Sequence, residues 1–218
     1  ECHMPFYLDS AQPEEAQTAA RWGWVSGITT NPRILAAAGL PPALALKALA
    51  KAMPRGPIFY QLTAPDLDGM RREAAQAAEL LGPRLVLKIP ANERGFEAAA
   101  QLSGSYAVAV TAIFDASQAM VAAACGAKYA IVYYHRAVAL LEDAFGMMQA
   151  FADVLQGSDT LPLAASLKSP DDVVSARQLG FTHLTLPLDV LQSMMEHPTT
   201  QHVCEEFNAE GVGLLDAG

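Results

Sequence analysis

The sequence has few cysteines, few charged residues and no long hydrophobic run. Its three cysteines, Cys2, Cys125 and Cys204, show no CxxC spacing, so the pattern indicates neither a disulfide framework nor a zinc knuckle. No apolar run reaches the roughly 18 residues that a membrane-spanning helix needs, and the first residues lack the basic and apolar regions of a signal peptide. We therefore expect a cytoplasmic protein with free thiols.

Acidic residues outnumber basic ones in this chain. With 23 acidic and 14 basic residues, the formal net charge is −9 and the sequence pI is about 4.9. This balance argues against a nucleic acid or an anionic membrane as a partner. Any anionic ligand must therefore be held by a few local cations. Because the chain has only five lysines, a lysine at the end of a strand is informative.

The composition predicts one globular domain over residues 1–218. Hydrophobic residues make up 52% of the chain, which is enough for a single large core. Residues 1–3, ahead of Met4, are interpreted as a remnant of cloning. Short apolar segments alternate with alanine-rich helical stretches, and this pattern predicts eight strands: Phe6–Ser10, Gly27–Thr30, Ile58–Thr63, Leu85–Ile89, Ala107–Ala112, Tyr129–Tyr134, Leu161–Ala165 and His183–Leu186.

Eight β-α units in 218 residues favour an α/β fold of the (β/α)8 TIM-barrel type. An open doubly wound sheet would need a glycine-rich phosphate loop after the first strand, and none is present there. The helical pattern includes one long helix over Ala137–Leu155 and an extra helix at about 199–210, beyond the last strand. That extra helix is a candidate arm for a homo-oligomer, with packing against its own barrel as an equal alternative.

Lys88 is the most informative single residue, because Leu85 to Pro90 otherwise has the composition of a fully buried strand. Burial disfavours the charged form of lysine and lowers its pKa, and a neutral amine forms Schiff bases with ketones and aldehydes. The ordinary alternative is a lysine that extends to solvent or pairs with a carboxylate. The residues at the other strand ends favour the first interpretation.

Polar side chains collect at the predicted carboxyl ends of the strands, which is where barrel enzymes have their active sites. The eighth strand ends in Leu186 and Pro187, which can only shape the mouth. Each polar residue has an ordinary explanation too, such as Asn31 capping a helix that starts at Pro32. Seven strands end in groups that hydrogen-bond or ionise: Asp9, Thr30 with Asn31, Gln61, Lys88, Thr111, Tyr133 with Arg136, and Ser166 with Lys168.

Together these groups suit Schiff-base aldol chemistry. The amine of Lys88 can attack a ketone, and the protonated imine then accepts the electrons of the adjacent carbon–carbon bond. Tyr133 can move protons, with a water held by Gln61 and Thr111. Asn31 and Thr30, together with Asp9, are candidates for binding the hydroxyls of a substrate. The candidates for binding a phosphate are Ser166, Arg136, Lys168 and Arg33.

Six motifs in this order resemble the small transaldolase and fructose-6-phosphate aldolase family of class I aldolases. They are Tyr7–Ala11, Gly27–Pro32, Leu87–Pro90, Gln118–Ala119 with Gly126–Tyr129, Ala164–Pro170 and Leu184–Val190. The resemblance implies a (β/α)8 barrel with Lys88 as the Schiff-base lysine, Asp9 and Asn31 in the catalytic pocket, and Ser166 with Arg136 at the phosphate. It also implies a cytoplasmic homo-oligomer, a pentamer or decamer, in which the C-terminal helix reaches a neighbour, and it implies no cofactor or metal.

Within this family, two positions separate the activities. Transaldolases carry a glutamate at the end of the third strand and a phenylalanine on the sixth, whereas the aldolases carry glutamine and tyrosine, as this chain does at Gln61 and Tyr133. The leading hypothesis is therefore an aldolase that interconverts fructose 6-phosphate, or a related sugar phosphate, with dihydroxyacetone and glyceraldehyde 3-phosphate. The alternatives are a transaldolase and a catalytically silent sugar-phosphate-binding barrel.

The chain departs from the family pattern at two places near the expected phosphate. Arg33 replaces the small residue, usually serine, that follows Asn31 and Pro32. The segment after Arg136 lacks the usual turn rich in aspartate and glycine, and His135 stands where glycine or asparagine is common. Arg33 thus brings either an extra cation or a blocking side chain into the second loop, and the identity of the substrate stays open at this point.

Overall fold

The computed structural model describes residues 4–213. The remnant predicted at residues 1–3, including Cys2, lies outside the described residues, as do residues 214–218. Cys125 and Cys204 are free, in agreement with the cysteine spacing. Of the helices within residues 4–213, none is both long enough and apolar enough to cross a bilayer.

Eight parallel strands form a closed barrel in which each strand pairs with the next along the chain and the last pairs with the first. This architecture confirms the predicted (β/α)8 barrel, and the predicted strand ends are within two residues of the observed ones. The strands are β1 Phe6–Asp9, β2 Val25–Thr29, β3 Ile58–Gln61, β4 Leu85–Pro90, β5 Ala107–Ile113, β6 Tyr129–Tyr133, β7 Leu161–Ala165 and β8 His183–Leu186.

Helices surround the barrel, and several begin at a side chain that accepts a hydrogen bond from the first turn, as Asp66, Asn92 and Ser169 do. Within residues 4–213 they are α1 Pro13–Trp22, α2 Pro32–Ala37, α3 Pro42–Ala52, α4 Leu67–Leu81, α5 Glu93–Leu102, α6 Ala116–Ala124, α7 Tyr134–Leu140, α8 Ala144–Val154, α9 Pro170–Gln178, α10 Leu188–Ser193 and α11 Pro198–Glu210. A short 3-10 turn, Gly82–Arg84, precedes β4.

The single helix predicted over Ala137–Leu155 is wrong, because the segment forms two helices, α7 and α8. The backbone is extended at Leu141, and Asp143 starts α8 by accepting a hydrogen bond from the Gly146 amide at 2.9 Å. Alanine and leucine continue across the break, so hydrophobic periodicity alone did not reveal it.

The core has two layers, one inside the barrel and one between the strands and the helices. Buried alanines such as Ala19, Ala74 and Ala99 allow the helices to lie close to the sheet. Gly95, in the first turn of α5, permits the closest approach at the end of β4, since a Cβ there would lie 1.9 Å from the carbonyl oxygen of Pro90. This packing fixes the strand that carries Lys88.

Glu73 of α4 holds the loop that follows β3. Its carboxylate accepts hydrogen bonds from the Tyr60 hydroxyl at 2.6 Å, from the Thr63 amide and hydroxyl at 2.9 and 3.0 Å, and from the Ala64 amide at 2.9 Å. Burial opposes ionisation of Glu73, but these hydrogen bonds outweigh it and lower the pKa of the carboxyl. The loop directly after Gln61 is therefore held by an ionised carboxylate.

We expect Glu73→Ala to lower the free energy of unfolding by about 2 kcal/mol at pH 7, since hydrogen bonds to a charged group are lost and polar groups are left without a partner. The folded-state pKa is lowered, so this stabilisation is present above the unfolded-state pKa of a glutamate, roughly 4.3, and is lost as the pH falls through the folded value. Denaturant unfolding at pH 7 and pH 3 measures both effects. Glu79→Ala, an exposed position on the same helix, is the matched control, and an equal loss for the two variants would contradict the assignment.

Candidate active site

A cavity of about 650 Å³ opens at the carboxyl ends of the strands. This volume lies within the range of roughly 300–1,000 Å³ that is typical of small-molecule pockets. Thr30 is the one residue selected from the sequence that does not line the cavity. The others all do: Asp9, Asn31, Arg33, Gln61, Lys88, Thr111, Tyr133, Arg136, Ser166 and Lys168.

Strand periodicity explains why these side chains meet. The lower part of the barrel interior is an apolar cluster that contains Tyr7, Phe59, Val86, Ala109, Tyr129, Ile131, Leu163 and Ala165. Side chains on a strand alternate between its two faces, so a residue two positions further along points the same way. Five polar residues follow this rule and form the layer above the cluster: Asp9, Gln61, Lys88, Thr111 and Tyr133.

Lys88 is buried, with 3% of its surface exposed, in the middle of β4. Its Nζ donates a hydrogen bond to the carbonyl oxygen of Thr30 at 3.0 Å. Burial lowers the pKa of the amine, and the nearby charge of Asp9 opposes that shift only in part. The hydrogen bond to Thr30 uses one hydrogen of the amine, so the neutral form, which burial favours, keeps its lone pair for attack on a carbonyl carbon.

Thr30 contributes through its backbone. Its hydroxyl donates to the carbonyl oxygen of Phe59 at 2.7 Å, so the side chain is turned away from the cavity, while its own carbonyl oxygen accepts from Lys88. Strand β2 ends at Thr29, one residue earlier than predicted. Because side chains alternate along a strand, Thr29 faces the barrel interior and Thr30 faces away from it.

Two hydroxyls that the sequence analysis did not select support Asp9. Thr29 donates to the Asp9 carboxylate at 2.8 Å, and the Thr29 and Thr185 hydroxyl oxygens are 2.5 Å apart. Because the single hydroxyl hydrogen of Thr29 is used on Asp9, Thr185 is the donor to Thr29. Strand β8 therefore supplies a polar group beneath the site, which corrects the expectation that its end only shapes the mouth. Counting in twos from Gly27, which pairs with the inward-facing Tyr7, gives Thr29, and counting in twos from the inward-facing His183 gives Thr185.

Tyr133 and Thr111 form a hydroxyl pair beside Lys88. The Thr111 hydroxyl donates to the Tyr133 oxygen at 3.0 Å, which leaves the phenol hydrogen free for another acceptor. Burial, with a smaller effect of the Asp9 charge, raises the pKa of Tyr133, while Thr111 and Arg136 act in the opposite direction. Tyr133 is thus a protonated phenol at neutral pH and is suited to donate a proton. The adjacent Tyr134 faces the helices, and its hydroxyl contacts Ser175 of α9 at 2.9 Å.

Asn31 and Ser166 occupy special backbone positions at the mouth. Asn31 caps α2 by accepting hydrogen bonds from the amides of Arg33 and Ile34, so its carbonyl oxygen is engaged while the residue also borders the cavity. Ser166 has a φ of 63°, in the left-handed region that non-glycine residues rarely adopt, and strained residues of this kind cluster at functional sites. The backbone conformation around Asn31 and Ser166 thus holds both residues at the mouth of the cavity.

A closed barrel with a buried amine and proton-transfer groups at the carboxyl ends of its strands defines an enzyme-type (β/α)8 barrel. Sequence comparisons narrow this class further. The model of the family described as "Transaldolase/Fructose-6-phosphate aldolase" matches residues 6–215. The chain belongs to the transaldolase/fructose-6-phosphate aldolase family, which confirms the resemblance found in the motifs.

Individual relatives are similar along nearly their whole length. A protein named "Probable transaldolase" from Desulfitobacterium hafniense is 34% identical over 210 residues, covering 95% of this chain and 98% of the relative. Proteins of the same name from Exiguobacterium sibiricum and Kosmotoga olearia are 31% and 32% identical, covering 95% and 94% of this chain and 97% and 94% of those relatives.

If Thr185, Thr29 and Asp9 form one continuous series of hydrogen bonds, the contributions of the two threonines to stability must be coupled. We expect Thr29→Val and Thr185→Val each to lower the free energy of unfolding by about 1–3 kcal/mol, because each leaves a buried polar group with fewer partners. The double variant should lose less than the sum, by at least about 0.5 kcal/mol. Thr29→Ser, which keeps the hydroxyl, is the control. Additive losses in a denaturant-based double-mutant cycle would contradict a continuous hydrogen-bond chain.

Proposed function

We propose that this protein is a Schiff-base aldolase that cleaves and forms a sugar phosphate of the fructose 6-phosphate type, with dihydroxyacetone as the donor and glyceraldehyde 3-phosphate as the acceptor. The observation that carries the proposal is that the buried Lys88 amine, whose pKa burial lowers, shares a cavity with the Tyr133 phenol, whose pKa burial raises. One group supplies the nucleophile and the other supplies a proton source. These are the two requirements for breaking a carbon–carbon bond next to an imine and releasing the three-carbon fragment.

In the proposed reaction, Nζ of Lys88 attacks the ketone carbon C2, and loss of water gives a protonated imine. The C3–C4 bond then breaks, its electrons move toward the imine nitrogen to give an enamine, and the C4 hydroxyl loses its proton as the aldehyde forms. Protonation of the enamine at C3 and addition of water release dihydroxyacetone and restore the amine. In this proposal Tyr133 serves as the acid, and Asp9, next to Lys88, accepts protons or binds hydroxyls.

The second candidate is a transaldolase, because the similar curated proteins carry that name. A transaldolase holds the enamine until another aldehyde arrives, whereas an aldolase protonates it. Tyr133 favours protonation. Release of dihydroxyacetone without added erythrose 4-phosphate supports the aldolase, and turnover that requires this acceptor supports the transaldolase.

We also propose that the protein is a cytoplasmic homo-oligomer. Helix α11 contains no buried residue, and its Phe207 is 71% exposed. An exposed phenylalanine on a helix without a buried residue is consistent with contact to a neighbouring subunit.

Borohydride trapping with fructose 6-phosphate tests the proposed nucleophile. We expect a three-carbon reduced adduct on Lys88, located by peptide mass spectrometry, and we expect Lys88→Met to abolish both the adduct and turnover. Lys47→Met, at an exposed position of α3, is the matched control and should retain both. Full turnover in Lys88→Met would exclude the Schiff-base mechanism, and a well-folded wild type that binds the sugar without forming an adduct would indicate a silent binding protein.

Replacing Tyr133 with phenylalanine tests the proton source. We expect Tyr133→Phe to slow release of dihydroxyacetone by about 10²-fold or more, because general acid catalysis typically contributes that much, while the adduct on Lys88 still forms. Transfer to added erythrose 4-phosphate should fall much less, since that route does not need the enamine to be protonated. Equal losses in release and transfer would show that Tyr133 does not have this role.

A further inference from the structure

Three cations border the cavity without an ion-pair partner. Arg33, Arg136 and Lys168 make no salt bridge with any residue between 4 and 213, a stretch in which the ion pairs found are Arg71–Asp68 and His202–Glu206. The guanidinium of Arg136 lies over the Tyr133 ring, 5.4 Å from its centroid. In a chain of net charge −9, unpaired cations around one pocket indicate an anionic ligand.

The three cations are not on the same side of the barrel. Arg136 follows β6, while Ser166 and Lys168 follow β7, and β6 and β7 are neighbours in the barrel. Arg33 follows β2, which is four strands from β6 in a closed barrel of eight and hence opposite to it. Lys88 on β4 lies midway between β2 and β6. A phosphate held by Arg136 and Lys168 therefore leaves Arg33 without an anion.

We propose that Arg33 forms a second anion subsite, and that the preferred substrate is a ketose bisphosphate with one phosphate ester at C1 and one at C6. The inference rests on the Schiff-base chemistry of the proposed function and changes the preferred donor from dihydroxyacetone to dihydroxyacetone phosphate. With C2 bound to Lys88 and the 6-phosphate at Arg136 and Lys168, the C1 end of the sugar is directed to the opposite rim, toward Arg33. Arginine suits this position because its planar guanidinium binds phosphate oxygens in a bidentate manner.

A phosphate ester fits this end of the cavity better than a carboxylate does. A carboxylate at C1 would be attached directly to the imine carbon and would lie next to Asp9, whose charge reaches the amine of Lys88. A phosphate ester places its charge further from C2 and from Asp9. Arg33 is exposed at the rim, where such a longer substituent ends.

The reaction with a bisphosphate follows the same steps and balances without a further reactant. The amine of Lys88 condenses with C2 and releases water, the C3–C4 bond breaks, and the C4 hydroxyl proton is lost as glyceraldehyde 3-phosphate leaves. The enamine gains a proton at C3, and water releases the three-carbon fragment as dihydroxyacetone phosphate. Glyceraldehyde 3-phosphate is the product from both the mono- and the bisphosphate, so a single assay compares the two sugars.

The test compares kcat/KM for fructose 1,6-bisphosphate with kcat/KM for fructose 6-phosphate in wild type, Arg33→Ser, Arg33→Lys and Arg72→Ser. We expect the wild type to prefer the bisphosphate. Arg33→Ser should lower the ratio at least tenfold, mainly through a higher KM for the bisphosphate, and Arg33→Lys should restore part of it because a point charge replaces the bidentate contact. Arg72→Ser removes an exposed cation from α4 and should keep the wild-type ratio.

Three outcomes would overturn the inference while leaving the proposed function intact. These are a wild type that prefers fructose 6-phosphate, a ratio that Arg33→Ser does not change, and a ratio that Arg72→Ser lowers as much as Arg33→Ser does. Borohydride trapping on the wild type distinguishes failure of the Arg33 subsite from failure of the proposed function. An adduct on Lys88 from either sugar supports Schiff-base chemistry, whereas no adduct from both sugars rejects the proposed function and the subsite together.

Discussion

The burial of one amine determines how the rest of this molecule is arranged. An ammonium ion inside a protein is costly unless paired, and Lys88 has a single backbone carbonyl within hydrogen-bonding distance, at 3.0 Å. That contact satisfies one donor of a neutral amine, but it does not replace the hydration of a cation. The barrel therefore favours the form of lysine that can react. Closure of the sheet is essential to this effect, because the strands around β4 exclude water from the Lys88 amine.

A buried site of this kind requires the polar groups around it to be satisfied. Within residues 4–213, every buried side-chain nitrogen and oxygen atom has a hydrogen-bond partner. Thr185 donates a hydrogen bond to Thr29, which donates to Asp9, and the Thr111 hydroxyl donates to Tyr133. The two threonines Thr29 and Thr185 fix the Asp9 carboxylate as an acceptor, and the donor Thr111 leaves the hydrogen of the Tyr133 phenol available. Thr29 and Thr185 below the cavity, and Thr111 in its lining, thus set which of the neighbouring groups accept hydrogen bonds and which can donate them.

Much of this arrangement could be predicted from the chain because a barrel combines two simple periodicities. Alternating apolar and helical segments gave eight strands, and their carboxyl ends brought distant residues such as Asp9 and Tyr133 to one rim. Thr30 illustrates the limit, since the sequence located the segment correctly but not which of two adjacent threonines points inward. A shift of one residue on a strand reverses the face. The break between α7 and α8 was also missed, because it depends on how Asp143 caps a helix rather than on hydrophobicity.

The charge of the whole chain and the charge of the cavity have opposite signs, and this difference has a physical consequence. A net charge of −9 repels anions at long range, but screening limits that repulsion to roughly 8 Å at physiological salt. Inside the mouth, Arg33, Arg136 and Lys168 are closer to a bound ligand than most of the surface carboxylates are. Local attraction then dominates, and it is strongest for a ligand whose negative groups are spaced to reach both rims. Under the bisphosphate proposal, the position of Arg33 opposite Arg136 makes the distance between two charges, rather than total charge alone, the property by which this cavity selects its sugar.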